Sequence, residues 1–347
     1  MNRVLRVLVV DDSAYVRKVM RQMLSQSPFL EVVGTARDGT EALEQAEALE
    51  PDVITLDLMM PEMDGITFLK AQMAHRPIPT VVVSIADEDS ELALAALDAG
   101  AVDIVQKPTA LANEKVLEIT QELIRKVKAA AEIPLGRGQQ LPTLPPEAPA
   151  PGALLGANLV DMVVLGISTG GPQALKWLVP QIPPNFPVPL AIVLHMPVGY
   201  TEMYAQKLND LSPLKVVETR EGDEVCPGVV YLAPAGRHLS FQRLDDGKVV
   251  THLDARPFDT PHRPSVDVLF QSAAEVYDGR VLGVVMTGMG SDGLQGAAWI
   301  KAKGGLVLTE AEESCVVYGM PRVVVEAGLS DRTVPLSRML AAILEVV

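Results

Sequence analysis

Residues 6–24 read RVLVVDDSAYVRKVMRQML: a short apolar run, two aspartates, then a stretch with the apolar spacing of one helix face. Consecutive apolar residues over so few positions suit a strand buried on both faces, and the 3.6-residue spacing after Ser13 suits a helix packed on it. The same alternation recurs down the first third of the chain. EVVGTA (31–36) precedes GTEALEQAEAL, VITLDL (53–58) precedes DGITFLKAQM, TVVVSI (80–85) precedes ELALAALDAG, and VDIVQK (102–107) precedes a helix expected over 113–131. Five such repeats predict parallel strands joined by right-handed crossovers, an open α/β sheet of flavodoxin-like size.

Beyond it, residues 133–157 hold six prolines and four glycines in 25 positions without apolar periodicity, which reads as a semi-rigid, extended linker. The expected division is therefore a domain over 1–132, a linker over 133–157 and a second domain over 158–347. The second repeats the alternation less regularly. DMVVLGIS (161–168) precedes a helix near 172–179, and PLAIVLH (189–195) precedes one near 199–211. KVVETR, VVYLAP, VLGVVMTG (281–288) and LVLTE (306–310) read as further strands, with two closing helices after them. LSFQRL and KVVTHLD flank Asp246-Gly247 and predict a hairpin. The fold class is thus α/β: two doubly wound, mainly parallel sheets, the second Rossmann-like with an inserted antiparallel edge.

Acidic residues outnumber basic ones by 44 to 29, for a net charge of -15, and no Lys/Arg run offers a patch for phosphate backbones. Nucleic acid is not an expected partner. The two cysteines, Cys226 and Cys315, form no disulfide framework and suit a reducing cytoplasm. The N-terminal apolar stretch ends in aspartates after a few residues, too short for a signal peptide or a membrane span. No membrane insertion is expected.

In doubly wound sheets ligands sit at the carboxyl ends of strands. Those ends carry Asp11 and Asp12, Asp57, Ser84, and Lys107 before Pro108. Converging carboxylates are costly without a cation, and hard oxygen ligands suit Mg²⁺, with a lysine opposite to hold a phosphoryl oxygen. Singly, Asp12 could be a helix cap, Lys107-Pro108 a turn and Ser84 a strand-end hydroxyl. Together they make this segment resemble the receiver domain of two-component response regulators. The resemblance implies that Asp57 accepts phosphate from a histidine kinase, that Asp11, Asp12, Asp57 and the Met59 carbonyl surround Mg²⁺, and that Ser84 and Lys107 read the phosphoryl group. The chain departs from the receiver pattern at IADEDSE after Ser84 and at Gln106, which bears on the response of that loop rather than on the phosphate chemistry.

In the second domain, VVLGISTGGPQAL (163–175) fits G-x-S-x-G, a strand-turn-helix bend that projects a serine hydroxyl from a sheet edge. A glycine-rich turn with Ser168 as cap, or a phosphate loop, fits this motif as well. A serine needs a base, and His195 ends the next strand; His75 lies in the first domain, His252 in the hairpin, and His238 and His262 in loops that spacing does not exclude. Asp292, in a glycine-rich turn after an apolar run, could orient the base or cap a helix.

Through GISTGG, HMPVGYTEMYAQKLN, EGDEVCPGVVYLAP, HRPSVDVLF and VMTGMGSDG, residues from about 159 onward resemble the catalytic domain of the chemotaxis protein-glutamate methylesterases, the CheB family. That resemblance implies Ser168 as nucleophile, His195 as general base then acid, Asp292 as orienter, and the N–H groups of Thr169 and Met289 as oxyanion hole. His262 and Arg263 would line the substrate cleft, although HRPSVDVLF also reads simply as a helix N-terminus with Ser265 as cap and Pro264 in the approach. The implied activity is phosphorylation-activated demethylation of glutamyl methyl esters, and deamidation of glutamines, on chemoreceptor cytoplasmic helices. Hydrolysis itself needs no cofactor, and control is expected through docking of the unphosphorylated first domain over the cleft.

Overall fold

The computed structural model describes residues 3–85, 90–107, 113–133, 159–257 and 259–347. The chain divides into two compact units, residues 1–139 and 140–347. The change of unit falls within the span expected as linker, and all of that span except Ile133 lies outside the described residues, as does the 86–89 part of the loop after Ser84.

In the first unit β1 (Leu5–Val10), α1 (Ala14–Leu24), β2 (Leu30–Ala36), α2 (Gly39–Leu49), β3 (Val53–Leu56) and α3 (Gly65–His75) alternate without exception. They are followed by β4 (Thr80–Ser84), α4 (Ser90–Asp98), β5 (Asp103–Gln106) and α5 (Asn113–Ala131). The five strands pair in parallel in the order β2-β1-β3-β4-β5. Strand order reverses at β1 and β3, which opens a crevice at their carboxyl ends. Ser13, not Asp12, caps α1, its hydroxyl accepting from Val16 N–H, so the two aspartates stay free of that duty.

The second unit runs β6 (Met162–Ile167), α6 (Gly171–Leu178), β7 (Leu190–Leu194), α7 (Thr201–Leu211), β8 (Lys215–Glu218) and β9 (Val229–Leu232). Next come β10 (His238–Arg243), β11 (Val249–Asp254), α8 (Val266–Val276), β12 (Val281–Val285) and α9 (Leu294–Ala302), then β13 (Leu306–Glu310), α10 (Met320–Glu326), β14 (Arg332–Val334) and α11 (Leu336–Leu344). Seven strands form a wholly parallel sheet, β14-β13-β12-β6-β7-β9-β8. Its central strands are buried at every residue, as a sheet covered on both faces requires.

Two details depart from the sequence reading. The hairpin β10-β11 is a sheet of its own and not an edge of the large one. Its Phe241 N–H donates to the Ser272 hydroxyl at 2.7 Å, tying it to α8. Between the closing helices lies β14, whose first two residues, Arg332 and Thr333, are exposed, so no apolar run announces it.

Candidate functional site

The central strands β12, β6 and β7 are neighbours, and the chain leaves β6 for β7 on one side and returns to β12 on the other. That is the topological switch point of the sheet, where parallel α/β proteins bind ligands. Register places the site. Ile167 is paired with Leu194, and the His195 N–H donates to the Ile167 carbonyl at 3.1 Å. Ser168 and His195, the next residue on each strand, therefore lie side by side at the sheet edge, at about the 4.8 Å spacing of paired strands.

Ser168 is buried, and its N–H donates to the Thr287 carbonyl at 2.9 Å. The cap of α6 is Gly170, at φ +80, with no side-chain hydrogen bond, so Ser168 does not serve as the cap. A β-carbon at Gly170 would be strained by that φ and would also meet Val316 at 2.5 Å. Behind the serine, a β-carbon at Gly288 would lie 2.8 Å from Ser168 Cβ and 2.4 Å from Met320 Sδ. Only glycine lets the 286–290 loop approach this closely.

His195 Nε2 lies 2.8 Å from Asp292 Oδ2. An ionised carboxylate only accepts, so in neutral His195 the proton sits on Nε2 and the lone pair on Nδ1. That Nδ1 is buried and, among the described residues, without a hydrogen-bond partner; in this conformation it is not bonded to the Ser168 hydroxyl. The ring stacks on His262, with centroids 4.1 Å apart and planes at 21°.

Asp292 is held from the start of α8. Its Oδ2 also accepts from Val266 N–H at 2.8 Å, while Oδ1 accepts from the Ser265 hydroxyl at 2.9 Å and Asp267 N–H at 3.0 Å. Burial alone would push this carboxyl up; the His195 hydrogen bond and charge, with the backbone N–H groups of Asp267 and Val266, outweigh it and hold the group well below the usual carboxylate range. The arrangement is reciprocal, because Asp267 accepts from Gly293 N–H at 2.9 Å and Gly296 N–H at 2.7 Å at the start of α9. Burial, and next the Asp292 charge, push Asp267 up to about 6.

Several sequence expectations are corrected here. Ser265 stands at the cap position of α8 without a side-chain capping bond, its hydroxyl being committed to Asp292. Asp292 is an N-terminal anchor, but of α8 rather than of the helix that follows it. His238 opens strand β10 instead of lying in a loop: Nδ1 accepts from Ser265 N–H at 3.2 Å and Nε2 lies 3.1 Å from the Pro257 carbonyl. With both nitrogens engaged it supports the site but cannot act as the base. His252 is exposed and pairs with Glu221, and His75 ends α3 in the other unit. Arg263 follows His262, its carbonyl accepting from Gly236 N–H at 3.0 Å. Thr169 is buried, and its carbonyl accepts from the Thr287 hydroxyl at 3.0 Å. Met289 is half-buried in the loop that Gly288 opens.

The strand-end rule also reaches Glu310, which closes β13 and was not singled out from the sequence. It is fully buried and accepts from Thr287 N–H and the Ser314 hydroxyl, each at 2.9 Å. Burial pushes its carboxyl up to about 7 from 4.5, against the opposing pull of those hydrogen bonds. The folded state therefore holds a proton that the unfolded chain releases first. Stability is expected to fall as pH rises from about 4.5 to 7, by about 3 kcal/mol in all. Melting temperatures at pH 5 and pH 8 test this: Glu310→Gln is expected to flatten the decline, and an unchanged decline in the variant refutes it.

In the first unit, oxygens of Asp11, Asp12 and Asp57 all lie within 4.8 Å of one another. Lys107 Nζ bridges Asp11 Oδ2 and Asp57 Oδ2, both at 2.8 Å. Burial pushes both carboxyls up despite the lysine. Burial would lower Lys107, but its bonds to the two aspartates raise it on balance. Three carboxylates against one ammonium leave net negative charge and only oxygen donors, a set that fits a hard divalent cation. Ser84 is buried at the end of β4, and its carbonyl accepts from Lys107 N–H at 2.7 Å, joining the two strand ends. The Met59 side chain is exposed, while its backbone N–H donates to Asp57. Among the described residues no helix is long and apolar enough to cross a membrane.

Known proteins resemble this chain over both units. Residues 163–343 match the family described as CheB methylesterase, and residues 7–119 the response regulator receiver domain. A protein-glutamate methylesterase/protein-glutamine glutaminase 5 of Myxococcus xanthus is 53% identical over 340 residues, covering 97% of this chain and 96% of its own. The protein-glutamate methylesterase/protein-glutamine glutaminase of Thermotoga maritima is 39% identical over 347 residues, covering 100% and 99%. The solved CheB methylesterase catalytic domain of Thermotoga maritima aligns with a TM-score of 0.53 at 42% identity, covering 54% of this chain and 99% of that one.

Proposed function

The chain belongs to the CheB methylesterase family, with a receiver domain ahead of the esterase domain, and from that premise we propose a phosphorylation-controlled cytoplasmic hydrolase of chemoreceptors. Its substrates are glutamyl methyl esters, and glutamine side chains for deamidation, on receptor cytoplasmic helices. The observation that carries this reading is the His195–Asp292 pair at the strand end beside Ser168.

In the proposed reaction the Ser168 hydroxyl attacks the side-chain carbonyl while His195 Nδ1, the nitrogen left with a lone pair, takes its proton. Asp292 steadies the imidazolium. The N–H groups of Thr169 and Met289 receive the oxyanion; one follows the nucleophile and the other lies on the loop packed against it. Collapse expels methanol or ammonia, protonated by His195, and leaves a glutamyl-serine ester. Water, activated by the same imidazole, then releases the glutamate. Both substrates pass through the same kind of tetrahedral adduct, so one site serves for both. His262, stacked on His195, and Arg263 beside it line the substrate cleft in this reading.

Control is assigned to Asp57, phosphorylated by a chemotaxis histidine kinase. Asp11, Asp12, Asp57 and the Met59 carbonyl would hold Mg²⁺, which when bound supplies positive charge against the phosphoryl oxygens. Lys107 and Ser84 would contact the phosphoryl group. Asp57→Asn is expected to abolish labelling by a radioactive small-molecule phosphodonor and to remove all stimulation of hydrolysis by that donor. Labelling of the variant at the wild-type level would exclude Asp57 as the acceptor.

The substrate assignment is tested by incubating the phosphorylated protein with receptor carrying radiolabelled methyl esters. Volatile methanol is expected to be released. Hydrolysis of simple soluble esters without release from receptor would replace the proposal with a small-ester hydrolase.

A further inference from the structure

Glu310 has no part in the proposed reaction, yet it is a fully buried carboxyl group behind the site whose hydrogen-bond partners are neutral. Desolvating a charge-bearing side chain is costly, and a residue that merely filled this space would be apolar. What it holds is Thr287. The Thr287 N–H points to Glu310, its carbonyl receives Ser168 N–H, and its hydroxyl donates to the Thr169 carbonyl and accepts from Val317 N–H at 3.0 Å. On the next residue, Gly288 N–H donates to the Val317 carbonyl, and its own carbonyl receives Gly319 N–H and Met320 N–H. Three segments, 168–169, 287–290 and 317–320, are thus tied together at Thr287, and Glu310 is the side chain that anchors Thr287 from below.

We propose that Glu310 is a positioning residue for the oxyanion hole: by accepting the Thr287 N–H it fixes the two backbone segments that carry the N–H groups of Thr169 and Met289. This rests on the reading of Ser168 as nucleophile. Glu310 touches no substrate. It acts by keeping two donors on separate loops at one spacing, and misplacing such a group by about 1 Å costs on the order of a hundredfold in rate.

Two Glu310 variants of the full chain, assayed on radiomethylated receptor after phosphorylation, test it. Glu310→Leu keeps volume and loses the acceptor; kcat is expected to fall about 10- to 100-fold with KM unchanged within about twofold. Glu310→Gln keeps an acceptor for Thr287 N–H and an amide that can donate to Ser314, so kcat is expected within about threefold of wild type. A wild-type kcat in Glu310→Leu, or an equal loss in Glu310→Gln, overturns the proposal. Should Glu310→Leu fail to fold, Glu310→Met, unbranched and without the carboxyl acceptor, carries the test, and an unchanged kcat there overturns it. Ser168→Ala is run alongside: full activity in that variant would remove the nucleophile assignment itself, a result distinct from either outcome at Glu310.

Discussion

Replacing Ser168 with alanine is expected to lower kcat on receptor methyl esters by about 10⁵- to 10⁶-fold, the scale seen when a serine nucleophile is lost from a working triad. The fold should not suffer. Alanine keeps the β-carbon that Gly288 accommodates, and the backbone bonds of residue 168 to Thr287 and Gly171 are untouched. KM should change little, since the hydroxyl acts on the carbonyl in the transition state rather than on the bound helix. The losses should not add: His195→Ala on the Ser168→Ala background removes a base with nothing to deprotonate, and is expected to cost less than about threefold more. The covalent step has its own signature. Quenching a single turnover of wild type should leave labelled glutamyl peptide on Ser168, and Ser168→Ala should trap none. A variant retaining even a hundredth of wild-type activity would mean that water attacks directly, with His195 as its base, and the acyl-enzyme mechanism would have to be abandoned.

The hydroxyl and the imidazole were legible in the sequence for one physical reason. Strands of a covered parallel sheet are short, continuous apolar runs, so the polar residues that close or follow each run mark the ligand-binding edge. The rule found Asp57, Ser84, Lys107, Ser168 and His195. Applied to LVLTE it also marks Glu310, although a lone acid there suggests no reaction by itself. Asp267, Thr287 and the bond from Ser265 to Asp292 are hidden for a different reason. Their work lies in which donor meets which acceptor across three chain segments, and neither spacing nor residue type encodes that. His238 does not show itself as a strand residue in the sequence, because its strand belongs to the small hairpin sheet, whose start no apolar run announces. Strand β14 escaped for the same reason, being short and exposed at Arg332 and Thr333.

The second large effect is expected at Asp292, where asparagine preserves size but not hydrogen-bonding sense. The carboxylate accepts four donors: His195 Nε2 and Val266 N–H on Oδ2, the Ser265 hydroxyl and Asp267 N–H on Oδ1. An amide offers one oxygen. If that oxygen takes the Oδ1 place, its NH₂ faces Val266 N–H and His195 Nε2, and the imidazole must move its proton to Nδ1, the nitrogen required as base. If the oxygen takes the Oδ2 place, His195 keeps its tautomer, but Asp267 N–H loses its acceptor at the start of α8. That part-buried loss costs about 1 kcal/mol. In neither orientation is there a charge to steady the imidazolium. Asp292→Asn is therefore expected to lower kcat about 10⁴-fold and to lower the melting temperature as well. The wild-type carboxyl is depressed in the folded state, so its stabilising contribution is complete above the unfolded carboxyl range and is lost as pH falls through its lower folded value. The asparagine variant, lacking that group, should lose less stability than wild type on acidification. Thermal melts from neutral to strongly acid pH, with kcat measured at neutral pH, examine both halves. Activity within tenfold of wild type would show that His195 holds its working tautomer without Asp292, and the assignment of Asp292 as its orienter would fall.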